Sequence, residues 1–143
     1  MQAAAELSTE AFGPGIPLVI DSSAWNRQSE PNVRPAWHAT NDAGLLVSCP
    51  ASSLEILAAA GNESQREIVD GALAALPQAP ITASVCRAAL GALRDLGARR
   101  RLPAPDYLIA AAAAERGFGV LHADRHFDLL ATALDFESVR LPE

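Results

Sequence analysis

PDYLIAAAAAERGFGVLHADRHFDLL, residues 105–130, predicts a helix, a buried strand and a second helix in direct succession. Asp106 falls in the first turn of the first helix, where the helix dipole favours negative charge. GVLHA has the apolar character of a buried strand, and the helical pattern of DRHFDLLATAL follows it. A strand between two helices is typical of a parallel sheet, because parallel strands need a crossover connection.

The rest of the chain repeats this alternation. LVI at 18–20 and GLLVSCP at 44–50 read as buried strands. A short strand is predicted around APIT at 79–82, and a last one in SVRLP at 138–142. We therefore predict an α/β protein with three α/β/α layers, in which helices flank a central parallel sheet of four or five strands.

Helices are predicted between these strands. ASSLEILAAAG has helix-forming residues, with Ser52 or Ser53 placed as the cap. Apolar residues at helical spacing predict two more helices, within 62–76 and 83–96, and Asn62 is a suitable cap for the first of them.

Length and composition indicate one globular domain. The chain has 143 residues, half of them apolar, which is enough for a hydrophobic core. Residues 1–16, which run into GPGIP, predict an N-terminal extension of low order, and residues 17–143 a single domain. Neither a run of 18 apolar residues nor a signal-peptide pattern occurs, so we expect a cytoplasmic protein without a membrane partner.

The charged residues have an unusual composition. The formal net charge is −6, all 11 basic residues are arginines, and the chain contains no lysine. Mechanisms that need a side-chain amine are therefore excluded. Arg99, Arg100 and Arg101 stand together, either as a solvated helix end or as a loop that contacts phosphate groups, for which arginine is well suited.

Four acidic residues interrupt apolar or alanine-rich segments. Asp21 follows the first predicted strand and Asp124 a later one, while Glu55 and Asp106 lie near the starts of helices. In an open parallel sheet, ligands bind beyond the carboxyl ends of the strands, which is where these residues are expected. Taken one at a time, each acid could also be a helix cap or a surface residue.

Carboxylates brought together repel one another unless a cation neutralises them. Mg²⁺ or Mn²⁺ suits such a group, because both prefer oxygen ligands and are often held by a few carboxylates together with substrate phosphates. Such an ion can orient a water molecule for attack on phosphorus and neutralise the leaving oxygen. The pattern therefore favours hydrolysis of phosphodiester bonds.

The four acidic segments resemble the motifs of PIN domains. LVIDSSAW is similar to the first motif, SCPASSLEIL to the segment with the helical Glu, PAPDYLIAAAA to the third motif and GVLHADRHFDLLA to the fourth. In order and spacing they resemble most closely the VapC-type toxins of bacterial toxin–antitoxin pairs. The resemblance runs from about residue 17 to the end, and its specific part is PDYLIAAAA followed by VLHADRHFD.

This resemblance implies an active site and a cofactor. Asp21, Glu55, Asp106 and Asp124 would form the acidic cluster of a ribonuclease, with the first, third and fourth of them as metal ligands for Mg²⁺ or, alternatively, Mn²⁺. Ser23 would support Asp21 through a hydrogen bond. The family often has an acid two residues after the fourth-motif Asp, where this chain has His126, so a supporting role of Asp128 is left open.

The resemblance also implies partners. The substrate would be structured RNA such as tRNA or rRNA, whose cleavage inhibits translation. Because the acidic pocket alone repels RNA, its backbone is predicted to be contacted by Arg27, Arg99, Arg100 and Arg101. Family members form homodimers and are held inactive by a cognate VapB-like antitoxin.

Other function classes fit the sequence less well. Receiver domains and haloacid-dehalogenase-like phosphatases also place acids at strand ends, but receiver domains require a lysine, and the phosphatases usually do. The phosphatases also need a second Asp at position 23, which is serine here. The alternative that stays open is a catalytically inactive PIN scaffold that binds RNA or a protein. Trp25 and Trp37 are predicted either to stack on an RNA base or to pack in the core or at a partner interface.

Overall fold

The computed structural model describes residues 9–97 and 101–143. Within these residues the chain forms four strands: β1 (Leu18–Ile20), β2 (Leu46–Val47), β3 (Gly119–His122) and β4 (Glu137–Arg140). Seven helices accompany them in the same ranges: α1 (Ser22–Trp25), α2 (Arg34–Asp42), α3 (Pro50–Ala58), α4 (Glu63–Ala74), α5 (Ala83–Leu96), α6 (Ala104–Arg116) and α7 (His126–Leu130).

The four strands form one parallel sheet in the order β2-β1-β3-β4. Val19 of β1 pairs with Val47 on one side and with Val120 on the other, which places β1 and β3 at the centre. The predicted parallel α/β sheet is thereby confirmed, with four strands.

Alternate residues of the strands face two separate cores, as the pleat of a strand requires. Val19, Val47 and Val120 pack on one face against helices α5, α6 and α7. Leu18 and Ile20 pack on the other face with residues of α1 and α2. The sheet is therefore covered on both sides, which explains why its strands read as continuous apolar runs.

Helix α6 lies directly on the sheet. Its centre, from Ile109 to Ala113, is completely or almost completely buried, and four of these five residues are alanines. Small side chains let the helix backbone approach β1 and β3 closely.

Two local predictions are corrected by the structure. Helix α3 begins at Pro50 with Cys49 as its N-cap, so neither Ser52 nor Ser53 is the cap; the Ser52 hydroxyl instead donates to the Cys49 carbonyl. Proline at the first helical position explains this start, because it lacks only an N–H that would have no partner in the helix. The strand predicted around 79–82 is absent from the described residues, where Gln78 forms a single bridge with Ser48.

Residues 9–16 contact the domain. The Phe12 N–H donates to Thr40 Oγ1 at 2.8 Å, and Phe12 and Ile16 pack against the core on the α1 and α2 side. Residues 1–8 lie outside the described part, and the boundary drawn after residue 16 stays a prediction. Among the described residues, no helix has both the length and the apolar character needed to span a membrane.

Candidate active site

Asp21 stands at the carboxyl end of the central strand β1. Its N–H donates to the Leu121 carbonyl at 3.0 Å, so the pairing of β1 with β3 fixes its position. The residue is only 3% exposed although it carries a carboxylate. Its side chain also caps α1, because Oδ2 accepts the Ser23 N–H at 3.0 Å. Asp21 is thus both a helix cap and a buried acid.

Ser23 connects the ends of the two central strands. Its hydroxyl donates to Asp21 Oδ2, and its oxygen accepts the Ala123 N–H at 2.9 Å, just beyond β3. The hydrogen bond expected between Ser23 and Asp21 is therefore present, and Ser23 also holds the loop that carries Asp124.

Two helices bring further acids to Asp21. Helix α3 packs between α1 and α6, and it places Glu55 beside the end of β1. Asp106, in the first turn of α6, is 5% exposed. One carboxylate oxygen from each of Asp21, Glu55 and Asp106 lies within 4.8 Å of the other two.

A second group shares Asp106. One oxygen of Asp106, one of Asp124 and a ring nitrogen of His126 all lie within 4.8 Å of one another. The Asp124 carboxylate accepts the His126 N–H at 3.0 Å, which fixes the turn between β3 and α7. The structure thus brings together all four acids that the sequence singled out, and it adds His126.

The proximity of these acids changes their proton affinities. Burial, and then the charge of Asp21, raises the pKa of Asp106 to about 7, although the hydrogen bond from His126 opposes this change. Burial and the same charge also raise the pKa of Glu55. Negative charge at this position is therefore costly without a compensating cation.

The donors at this position fit a hard divalent cation. Asp21 Oδ1 and Glu55 Oε1 are buried and accept no hydrogen bond from any described residue. Buried polar atoms without partners are rare in proteins and call for an explanation such as an ion. Carboxylate oxygens that converge from a strand and two helices are the ligands that Mg²⁺ and Mn²⁺ prefer.

Asp128 lies outside both groups of potential ligands in the described chain. It accepts a hydrogen bond of 2.8 Å from the Ser138 hydroxyl, and Ser138 Oγ lies 2.7 Å from Nε2 of the buried His122. His122 Nδ1 accepts the Asp124 N–H at 3.1 Å, so Nε2 carries the proton and donates to Ser138. Burial lowers the pKa of His122, in keeping with a neutral ring. Asp128 is thus connected to the backbone of Asp124 through two intervening side chains.

Arginines surround a polar cavity next to the acids. The cavity has a volume of about 430 Å³, and its lining includes Arg27, Arg125 and Arg140 together with Asp124 and His126. Arg27 is held in place, because it donates to Glu30 at 2.9 Å and to the Pro142 carbonyl at 2.7 Å. The sequence reasoning missed Arg125 and Arg140, although the position of Arg125 directly after Asp124 was a usable signal.

The predicted arginine loop is only partly described. Arg101 is exposed just ahead of α6, while Arg99 and Arg100 lie outside the described residues. Trp25 and Trp37 contact each other edge to face, with ring centroids 6.2 Å apart, and Trp37 is buried. Packing therefore explains Trp37, in agreement with one of the two predictions for it.

Comparisons with known proteins agree with this geometry. The PIN domain family model matches residues 18–133. Ribonuclease VapC51 of Mycobacterium tuberculosis (strain ATCC 25618 / H37Rv) is 41% identical over 118 residues, which cover 81% of this chain and 86% of that protein. Ribonuclease VapC18 of the same strain is 30% identical over 117 residues, covering 78% and 85%.

A solved structure shows the same fold. It is a crystal structure of VapBC-5 from Mycobacterium tuberculosis, a member of the VapBC family of toxin–antitoxin systems. It matches with a TM-score of 0.64 at 22% identity, over 90% of this chain and all of the compared chain. On the family match and the two sequence relatives, this chain belongs to the PIN-domain family and, within it, to the VapC ribonucleases.

Proposed function

We propose that this protein is the toxin of a type II toxin–antitoxin pair, an endoribonuclease that hydrolyses phosphodiester bonds of structured RNA such as tRNA or rRNA with the help of Mg²⁺ or Mn²⁺ and so inhibits translation. The observation that carries the metal dependence is the pair of buried carboxylate oxygens without hydrogen-bond partners, on Asp21 and Glu55. The sequence similarity to VapC ribonucleases supports the proposed ribonuclease activity.

Asp21, Asp106 and Asp124 would hold the cation, and Glu55 would complete the cluster. A cation held there would supply positive charge that offsets the charge of the scissile phosphate, and it would make water a better nucleophile at neutral pH. Ser23 keeps Asp21 in one orientation, and the chain from Asp128 through Ser138 and His122 keeps the backbone of Asp124 in place. Both supports leave the metal-facing oxygens free.

Binding of the RNA backbone requires positively charged side chains, because the acidic cluster alone repels phosphate groups. Arg27, Arg125 and Arg140 line the cavity beside Asp124 and would contact phosphates next to the cleaved bond. Arg99, Arg100 and Arg101 precede α6, which carries Asp106, and stay proposed as RNA contacts.

A VapB-like antitoxin is the expected protein partner, and a homodimer the expected assembly. The solved relative with a similar fold is described as a member of the VapBC toxin–antitoxin family. Exposed apolar side chains on α3, α4 and α5 offer surface for such contacts, namely Leu54, Ile68, Leu90 and Leu93.

The test is cleavage of a pool of total tRNA and rRNA by the purified chain, freed of any copurifying protein. We expect cut products with Mg²⁺ or Mn²⁺ and none with EDTA. Asp106→Asn should lower cleavage by at least about 100-fold, because it removes a charge from the cation site. Asp135→Asn is the matched control, since Asp135 is exposed and lies near the amino-terminal ends of β3 and β4, opposite the acids.

Full cleavage by Asp106→Asn would contradict the site assignment. No cleavage by the wild type under any condition, with RNA still bound by a folded protein, would favour the alternative of a catalytically inactive scaffold.

A further inference from the structure

His126 points at two of the acids rather than away from them. Its Nδ1 lies 3.0 Å from Asp106 Oδ2 and 3.1 Å from Asp124 Oδ1. The side chain is about one-third exposed, at 34%, so burial in the core does not explain its orientation. The backbone N–H of His126 bonds to the same Asp124 carboxylate, so the turn itself directs the ring toward the acids.

The two groups of potential ligands differ in chemistry. The group of Asp21, Glu55 and Asp106 offers oxygen only, whereas the group of Asp106, Asp124 and His126 offers two oxygens and one nitrogen. The buried Asp21 Oδ1, which has no partner among the described residues, points to a cation at the first group. Because Asp106 belongs to both groups, the second group forms another cation position directly next to the first.

The spacing at the second group suits a metal ion. An octahedral ion with bonds of about 2.1 Å places neighbouring donor atoms about 3 Å apart. The separations of His126 Nδ1 from the Asp106 and Asp124 oxygens have this length. Imidazole nitrogen favours first-row transition metals over Mg²⁺, which prefers oxygen ligands.

We propose that His126 Nδ1 is a ligand of a second divalent cation, held together with Asp106 and Asp124, and that this position takes Mn²⁺ in preference to Mg²⁺. This inference rests on the metal-dependent site proposed above, and it divides the ligands of that site between two cations. Asp21, Glu55 and Asp106 hold the first, while Asp106 and Asp124 hold the second together with His126. The first position, with oxygen ligands only, accepts either ion.

The competing explanation is that His126 only donates a hydrogen bond to Asp106 and ligates nothing. His122 illustrates such a role, because both of its ring nitrogens are engaged by Asp124 and Ser138 within the described residues. The experiment must therefore detect the metal–nitrogen bond itself and not activity alone.

Pulsed electron paramagnetic resonance of bound Mn²⁺ detects this bond, because a directly coordinated imidazole nitrogen modulates the echo. We expect nitrogen modulation in the wild type and its loss in His126→Asp, which replaces the ring with an oxygen ligand, and in His126→Asn. His38→Asp, at an exposed position on α2, is the control and should keep the modulation. Added Mg²⁺ should displace Mn²⁺ from His126→Asp more readily than the nitrogen-coupled Mn²⁺ from the wild type.

Each other outcome has a distinct meaning. Bound Mn²⁺ without nitrogen modulation in the wild type, or modulation that persists in both His126 variants, overturns the proposal and leaves the metal-dependent nuclease intact. If the folded wild type binds no Mn²⁺, the proposal fails; if it also shows no Mg²⁺-dependent cleavage, the metal dependence fails as well. Circular dichroism of each variant checks that the fold is retained.

Discussion

At the scale of one residue, the position of Asp106 in the site lowers the stability of the ion-free folded protein. Asp106 is almost fully buried next to Asp21, and its pKa is raised to about 7 from an ordinary value of 3.8. The unfolded chain therefore releases this proton near pH 4, while the folded chain keeps it until about pH 7. Above about pH 4, this difference in pKa lowers the stability of the ion-free folded protein. A bound cation would remove the loss.

The stability of the ion-free protein should depend on pH through Asp106. Because the folded pKa is the higher one, we expect the free energy of unfolding to fall as pH rises from about 4 to 7, by at most about 4 kcal/mol. In EDTA, Asp106→Asn should then be more stable than the wild type at pH 8, and this advantage should shrink toward pH 4. Urea unfolding of both proteins across this range measures the effect.

Mn²⁺ should stabilise the wild type more at pH 8 than at pH 6, because the ion requires the deprotonated acid. Asp135→Asn should follow the wild type throughout. Equal stability of Asp106→Asn and wild type at pH 8 in EDTA would show that the charge of Asp106 is not costly in the fold.

At the scale of elements, the site depends on how closely strands and helices approach one another. Strand β3 begins at Gly119, where an added Cβ would meet the Glu137 carbonyl and Leu18 Cδ2 at 2.8 Å each. Helix α4 contains a glycine in a different setting, because Gly71 is exposed and has open space around it. The same substitution should therefore have opposite effects at the two positions.

Gly119→Ala should destabilise the protein by about 1–3 kcal/mol, because the methyl group forces β3 away from β1 or β4. Gly71→Ala should stabilise it by about 0.5–1 kcal/mol, since alanine favours the helix in an exposed position. Denaturant unfolding at one pH compares the three proteins directly. If Gly119→Ala is as stable as the wild type, the tight packing at the start of β3 is not a constraint on the sheet.

At the scale of the whole molecule, negative and positive side chains collect in different regions, although the net charge is −6. The acids converge at the carboxyl edge of the sheet, and arginines from distant parts of the chain line the adjoining cavity. This arrangement reconciles a negative protein with an RNA substrate, because local positive charge decides whether phosphate groups are bound.

RNA binding should therefore weaken as salt concentration rises. We use the Asp106→Asn background, in which we expect cleavage to be lost. There the double substitution Arg125→Gln and Arg140→Gln should reduce the slope of log affinity against log salt by about 1 to 2. Arg116→Gln is the control, because Arg116 ends α6 about 15 Å from Asp106 at its start. Filter binding across a salt series provides the slopes. An unchanged slope for the double variant would show that the arginines of this cavity do not contact RNA phosphates.

The sequence by itself determined the four strands, the helices α3 to α7 and the four acidic positions, but it did not predict α1 and α2, and the strand predicted at 79–82 was wrong. The correctly predicted features are local properties, since apolar runs, helical periodicity and an acid at the end of a run can each be read within a few residues of Asp21 or Asp124. The predicted parallel sheet and the PIN family are confirmed for this reason. The catalytic roles of the individual residues stay predictions.

Only the tertiary structure decided which side chains meet. It directed His126 toward Asp106, placed Asp128 beyond Ser138 instead of among the acids, and brought Arg140 to the same cavity as Arg27. These contacts join residues from 10 to over 100 positions apart, and they depend on the crossover connections of a parallel sheet. No local pattern encodes the direction of a side chain across such a distance, because packing on both faces of the sheet sets it.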